Sequence, residues 1–529
     1  MQFEQHEEVA GQVGVMRALE EAGDRVVLIH GERMLRADEC LALINQMARA
    51  LSEAGLKQGG SLGLLSMNLP EAYLTQLAGR LVGVRYTPLH PLGAVDDHAY
   101  VLDDAEIDVL IYDPRLYSGR VAELQARGAV KTAYSLGPDP AEGDQRHDLL
   151  ALAARHADGE FPAAPVRGGD VATVYYTGGT TGKPKGVAHT WFGRWYTEVI
   201  AAGRDLPAEP PRLLVTTPIS HAGGTYLGPA IMRGGSVVLA DKFDPAQFLA
   251  LIERWKVTEI FLVPTMLYQL LDHLRETDGT RPADVSSLKE ILYGASPMSP
   301  TRLAEGIERL GPIFVQGYGQ TEAGVNILRL RPDEHRLDRP AVLASAGRPT
   351  VGVVAKILRE DLTEARVGEV GELCLRGPFV MKGYWKRPGL TEHALRGGWL
   401  HTDDLGFRDE QGYITLVDRR KDMIISGGFN VYPSEVENVI SELPAVASCA
   451  VVGVPDQKWG EAVKAFIVLH DGAALTGQQV IGHVRTRKGS VNTPKSVAFV
   501  PALPLTAVGK VDKKALRGPG WADASRQVN

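Results

Sequence analysis

Cysteine is scarce in this chain. Cys40, Cys374 and Cys449 are the only three in 529 residues, and none sits in a CxxC or Cys/His spacing, which excludes a disulfide framework and a zinc-knuckle pattern and points to a reducing cytoplasm. Long runs of one charge are absent too. The 57 basic and 64 acidic residues are interspersed, for a formal net charge of -7, so neither a nucleic-acid partner nor an anionic membrane is implied. No apolar run approaches the roughly 18 residues that crossing a bilayer requires. The opening MQFEQHEEVAGQVGV is acidic, without the basic start and apolar core of an export signal. Export and integral membrane association are therefore not expected, while peripheral contact stays open. Internal repeats and low-complexity segments are also missing.

What the chain does have is apolar content. At 529 residues and 44% hydrophobic composition it exceeds what one core usually supports, so at least two domains are expected. Leu41, Ile44, Ala48 and Leu51 recur on one helical face within residues 37 to 56, and the pattern stops at Gly55, which predicts an amphipathic helix with a glycine stop. A strand is expected at Ser61 to Met67. Beyond it, apolar runs (DVLIYD, RLLVTT, GSVVLA, EIFLVP, KEILYG, PIFVQG) alternate with helical patterns (AQFLALIERW, TMLYQLLDHL). Such alternation predicts an α/β fold of doubly wound, largely parallel sheets covered on both faces, with ligands beyond the carboxyl ends of the strands. Between about Gly347 and Asp418 short alternating strands suggest a small β subdomain. An α+β tail follows the charged stretch Asp418-Arg419-Arg420-Lys421-Asp422. A boundary at Arg419 to Lys421 would divide residues 1–419 from 420–529, although the stretch also reads as an ordinary charged turn.

The most informative segment is Thr177-Gly178-Gly179-Thr180-Thr181-Gly182-Lys183-Pro184-Lys185-Gly186. Glycines let backbone N–H groups converge on an anion, threonine hydroxyls add donors, and lysines balance polyphosphate charge. It is not the usual P-loop, because Pro184 supplies no donor and disfavours helix at Lys183. A mobile surface turn is the plainer alternative. Two further clusters, starting at Gly294 and Gly317, are expected just after strands, as Thr177 is. GYGQTEAG at 317 to 324 carries Glu322 where GxGxxG needs its third glycine, so a dinucleotide fingerprint is rejected.

YYTGGTTGKPKGV, PISHAGG, YGASPM, GYGQTEAG, WLHTDDLG, VDRRKDMIISGGFNVYPSEVE and PLTAVGKVDKK occur in that order, and nearly the whole chain resembles the adenylate-forming superfamily of acyl-CoA synthetases, nonribosomal adenylation domains and luciferases. The resemblance implies ATP, Mg²⁺ and CoA as the small molecules used and a two-step reaction. A carboxylate attacks the α-phosphate of ATP to give acyl-adenylate and pyrophosphate, and a thiol then attacks the acyl carbon. Both first reactants are anions, so the site must neutralise charge and hold them in line.

Carried over residue by residue, the resemblance implies that Thr177, Gly178, Gly179, Thr180, Thr181, Gly182, Lys183 and Lys185 bind the β- and γ-phosphates, with Gly179 standing where serine is common. Tyr318 would stack on adenine, Thr321 would contact the α-phosphate, and Glu322 would hold Mg²⁺, which prefers oxygen ligands. Gly294, Ala295 and Ser296 would wall the adenine pocket. Asp404 and Arg419 would take the ribose hydroxyls. Asp403 departs from the family's TGD, losing glycine's tolerance of positive φ. Lys510 would bridge the incoming carboxylate and the α-phosphate from the tail. Lys421 would be the hinge of a mobile C-terminal domain, and Gly427 and Gly428 would face the site in a second pose as part of a pantetheine tunnel. Without the family, Tyr318 reads as a packing aromatic, and Glu322 and Lys510 as solvated charges.

His221 in PISHAGG stands where amino-acid-activating relatives carry an aspartate motif, which disfavours α-amino acids; the family implies that it gates the acyl pocket. Gly223, Gly224 and Gly319 are expected to leave room there for a fatty or aromatic acid. The expected activity is thus a ligase joining such an acid to CoA, with loading of an acyl or peptidyl carrier protein as the alternative and a non-catalytic nucleotide-binding protein as a more distant one. Chain length stays unread and the oligomeric state open, a homodimer included.

Overall fold

The computed structural model describes residues 14–140, 147–177, 184–203, 209–277, 283–419, 422–426, 429–456, 458–506 and 510–521. Among these, a nine-stranded sheet runs from Arg348–Pro349 through Gly324–Leu330, Phe314–Gln320, Glu290–Gly294, Glu259–Leu262, Arg212–Val215, Ser236–Leu239 and Val26–His30 to Arg33–Arg36. The six strands from Phe314–Gln320 to Val26–His30 are parallel, and the pairings beyond them toward both edges are antiparallel. The expected apolar runs supply the interior. Ser236–Leu239 and Glu259–Leu262 are buried at every position, as strands covered on both faces must be.

A seven-stranded sheet runs Gly383–Tyr384, Lys185–Thr190, Val171–Thr177, Arg85–Pro88, Ser61–Leu65, Val109–Tyr112, Ala133–Ser135. The helix Ala37–Glu53 buries Ile44, Ala48 and Leu51, while Leu41 packs partly exposed against the same core. It stops beside Gly55, whose φ of 97° is a conformation that costs glycine little. A four-stranded antiparallel sheet, Val354–Leu358, Gly371–Arg376, Leu400–Arg408 and Ile414–Arg419, forms the small β unit.

The tail has its own five-stranded sheet, beginning at Ile424–Ser426, and its own core of Ile424, Val431, Val436, Ile440, Val463 and Val480 among others. No helix among the described residues is long and apolar enough to cross a membrane.

Candidate active site

The phosphate-type loop joins two antiparallel strands, Val171–Thr177 and Lys185–Thr190, paired to the register Thr177 with Lys185. The chain leaves the loop as a strand, in keeping with Pro184 and unlike a P-loop. Gly178, Gly179, Thr180, Thr181, Gly182 and Lys183 lie outside the described residues, as do Lys421, Gly427 and Gly428. Thr177 and Lys185 frame the loop. The Thr177 hydroxyl is buried without a hydrogen-bond partner among the described residues.

Lys185 reaches toward Glu322 through a residue that the sequence reading missed. Its Nζ donates to the Tyr384 hydroxyl at 2.7 Å, and that hydroxyl donates to Glu322 Oε1 at 2.9 Å. Nζ and Oε1 themselves stand 3.6 Å apart. Burial, with Glu322 adding to it, keeps the Tyr384 phenol protonated, well above its ordinary range. The backbone beneath is also fixed: Met381 N–H donates to the Glu322 carbonyl at 2.8 Å, and His189 Nε2 meets the Thr321 carbonyl at 2.6 Å. A carbonyl only accepts, so Nε2 carries the proton. Burial, chiefly, draws His189 down to about 4, so it donates as a neutral imidazole.

Two expectations about glycine need correction. The cluster at Gly317 does not follow its strand; Phe314–Gln320 runs through it, with a register break between Tyr318 and Gln320. The glycines permit this, since a Cβ on Gly317 would lie 2.2 Å from Asn326 Oδ1 and one on Gly319 2.3 Å from the Gly324 carbonyl oxygen. Nor do Gly223 and Gly224 leave room beside His221. A Cβ on Gly224 would fall 1.9 Å from the Ile219 carbonyl oxygen and one on Gly223 2.5 Å from Thr217 Oγ1. Close chain packing, not an open pocket, demands glycine at these positions. Gly294, ending its strand, likewise meets the Gly317 backbone, where a Cβ would lie 2.1 Å from the carbonyl oxygen. Ala295 follows at φ 69° and Ser296 is partly exposed.

Asp404 is 5% exposed and joins three elements. The Tyr318 hydroxyl donates to its Oδ2 at 2.5 Å, and Arg419 Nε lies 3.2 Å from Oδ1. Burial raises the carboxyl above its usual range, with Arg419 and Tyr318 pulling the other way. Burial and then Asp404 push the Tyr318 phenol far up. Asp403, where the family has glycine, is exposed and holds φ 60°.

His221 lies edge to face with His90, ring centroids 4.5 Å apart, and its Nδ1 is 2.9 Å from the Ser220 hydroxyl. Burial first, then His90 and Lys510, hold His221 down at about 3. Backbone bonds fix Lys510 against Thr506: its N–H donates to Thr506 Oγ1 at 3.2 Å, and Thr506 N–H donates to its carbonyl at 2.7 Å. His90, His189 and Tyr384 lie in no motif; only their positions near strand ends hinted at them.

Cations thus face carboxylates in two pairs, Lys185 with Glu322 and Arg419 with Asp404. Such an arrangement can bind a polyanion and bring a second anion to it. Residues 15–385 match the family described as AMP-binding enzyme, and residues 435–510 match the AMP-binding enzyme C-terminal domain. The chain is 43% identical over 522 residues to the medium/long-chain-fatty-acid–CoA ligase FadD8 of Mycobacterium tuberculosis, covering 97% of this chain and 90% of that protein. It is 37% identical over 494 residues to a feruloyl-CoA synthase of an Amycolatopsis species, covering 92% of this chain and 94% of that one. Among solved structures, the amide bond synthetase McbA from Marinactinospora thermotolerans superposes with a TM-score of 0.86 at 34% identity, over 96% of this chain and 99% of that one.

Proposed function

The chain belongs to the AMP-binding enzyme family, and we propose that it is an AMP-forming acid–thiol ligase for a fatty or aromatic carboxylate, with CoA as the acyl acceptor. A carboxylate cannot acylate a thiol directly, because oxide is a very poor leaving group. In the first step the carboxylate oxygen bonds to the α-phosphorus while the bond to the β-phosphate bridge breaks, and pyrophosphate leaves with the electron pair. In the second, the thiol sulfur bonds to the acyl carbon, AMP leaves with the electrons of the C–O bond, and the thiol proton passes to solvent.

The residues take these roles in this reading. Thr177, Lys185 and the loop between them bind the β- and γ-phosphates. Gly294, Ala295, Ser296 and Tyr318 hold adenine, Thr321 the α-phosphate, and Asp404 and Arg419 the ribose. Lys510 bridges the two anions, and His221 stands at the acyl mouth. Glu322 suits Mg²⁺, since a carboxylate oxygen is the donor that ion prefers. Tyr384 and Lys185 both meet Oε1, and Oε2 carries no hydrogen bond among the described residues. Bound there, the ion supplies charge neutralisation to the triphosphate. The tail from about 420 onward would turn about Lys421 and bring Gly427 and Gly428 to the site for the second step. A cytoplasmic setting and a homodimer belong to the same reading, tested by fractionation and light scattering.

The observation that carries this reading is the pair of charge clusters built on the matched motifs: Lys185 and Tyr384 on Glu322 Oε1, and Tyr318 and Arg419 on the buried Asp404. The acceptor is the point at which a second reading has support: the McbA match makes an amine a rival to a thiol, and a carrier-protein phosphopantetheine remains another. The test is pyrophosphate release with a panel of carboxylic acids, run with CoA, carrier protein or a primary amine. Release with fatty or aryl acids and formation of the CoA thioester support the proposal. A product formed only with amine or carrier shifts the acceptor, and no carboxylate-dependent ATP–pyrophosphate exchange overturns it.

A further inference from the structure

A buried trio, Glu372, Cys374 and His401, offers donor atoms all within 4.8 Å of one another, but it does not behave as a vacant ligand set. Glu372 already uses both oxygens. Oε1 accepts the Asp403 N–H at 3.0 Å, while Oε2 accepts from His401 Nδ1 at 2.8 Å and from the Arg396 guanidinium at 3.2 Å. A cation would have to displace these donors and sit beside Arg396, an arrangement that like charge opposes.

What Glu372 holds is a distortion in the ribose strand. Glu372 pairs with Leu405 and Cys374 with His401, so Leu373 alone faces Thr402, Asp403 and Asp404. The excess is absorbed as a bulge in which Asp403 adopts φ 60°. Left-handed backbone disfavours a residue with a Cβ, and a bulge leaves N–H groups without ladder partners. Glu372, 3% exposed, supplies the partner for Asp403, and Thr402 Oγ1 supplies one for the Asp404 N–H at 3.1 Å. Thr402 is itself tied to the Leu373 carbonyl at 2.7 Å.

We infer that Glu372 is the positioning residue for the ribose-facing carboxylate: by accepting the Asp403 amide it fixes the left-handed bulge that sets Asp404 against Tyr318 and Arg419. This inference rests on the assignment of Asp404 to the nucleotide. Asp403 makes the anchor more necessary in this chain, because glycine would adopt the same bend with little penalty. Glutamine at position 372 keeps the volume but has one acceptor oxygen where the carboxylate has two. In either orientation its NH₂ faces a donor, the Asp403 N–H or the His401 and Arg396 pair.

The test is a double-mutant cycle of Glu372→Gln with Asp403→Gly, reading KM for ATP and for the carboxylate separately. Glu372→Gln should raise KM for ATP about tenfold, the size of one hydrogen bond lost from a displaced Asp404 to the ribose, while KM for the acid moves less than about threefold. In the Asp403→Gly background the ATP penalty should shrink to about threefold or less. An equal penalty in both backgrounds, or parallel rises in both KM values, overturns the inference. If Glu372→Gln fails to fold, Arg396→Gln, which loosens Glu372 from a partly exposed position, should shift KM for ATP in the same direction, and no shift is equally fatal. Asp404→Ala separates the two levels. Unchanged ATP affinity in that variant refutes the nucleotide assignment itself, whereas a large loss there with none in Glu372→Gln refutes only the positioning role.

Discussion

Tyr384→Phe removes a single oxygen from between a cation and a carboxylate, and its consequence can be worked from three distances. Lys185 Nζ and Glu322 Oε1 are 3.6 Å apart, with the Tyr384 hydroxyl 2.7 Å from the first and 2.9 Å from the second. Without the hydroxyl the ammonium can close on the carboxylate to about 2.8 Å, the usual length of a charge-assisted bond. At an effective dielectric of about 20 the Coulomb attraction then grows from about 4.6 to about 5.9 kcal/mol. The gain of about 1.3 kcal/mol is about tenfold in an equilibrium constant. A tighter Lys185–Glu322 pair competes with Mg²⁺ for the charge of the Glu322 carboxylate and withdraws a cation from the triphosphate. Titrating magnesium at fixed ATP, with pyrophosphate release as the signal, should show the half-maximal concentration rising about tenfold in Tyr384→Phe. A wild-type magnesium dependence would refute the placement of Glu322 in the metal-binding role.

Three further outcomes are expected. Asp403→Gly should raise the thermal midpoint, by about 0.5–1 kcal/mol of stability, because glycine adopts positive φ without the Cβ penalty; a lower midpoint would show that Asp403 makes a compensating contact. Burial lifts Asp418 from 3.8 to about 6 against the pull of Lys513. The folded state therefore binds the extra proton between these values, and stability should fall on the order of 2 kcal/mol as pH rises from about 4 to about 6, then level off. Urea titrations at several pH values should show this slope in the wild type and not in Asp418→Asn; a slope of opposite sign would contradict the burial argument. Asp404→Ala should weaken ATP about tenfold or more while leaving acid binding nearly unchanged, since it removes a carboxylate held by Tyr318 and Arg419; competition binding with AMP checks this independently of turnover.

The α/β architecture was legible because buried parallel strands announce themselves as continuous Val, Ile and Leu runs, as in Ser236–Leu239 and Glu259–Leu262. Tyr318, Glu322, Asp404 and Arg419 could be named as candidates only through the motifs that carry the family resemblance, since taken alone Tyr318 reads as a packing aromatic and Glu322 as a solvated charge. Tyr384 could not be, because its partners lie 199 and 62 residues away and it falls in none of the motifs. His189 and His90 were missed on the same ground. The glycines beside His221 were misread because absence of a side chain has two meanings. It can open space for a ligand or allow two backbone segments to touch, and the Ile219 carbonyl occupies the space at Gly224. Asp403 shows the converse, a residue whose departure from pattern was visible while its support, Glu372, lay 31 positions away on the neighbouring strand.

The measurement that bears most directly on the proposed chemistry separates the two half-reactions in Lys510→Ala. Carboxylate-dependent ATP–pyrophosphate exchange should fall by several orders of magnitude, whereas thioester formation from supplied acyl-adenylate and CoA should fall less than about tenfold. Equal losses in both half-reactions, or exchange that survives intact, would contradict a tail ammonium that joins two anions.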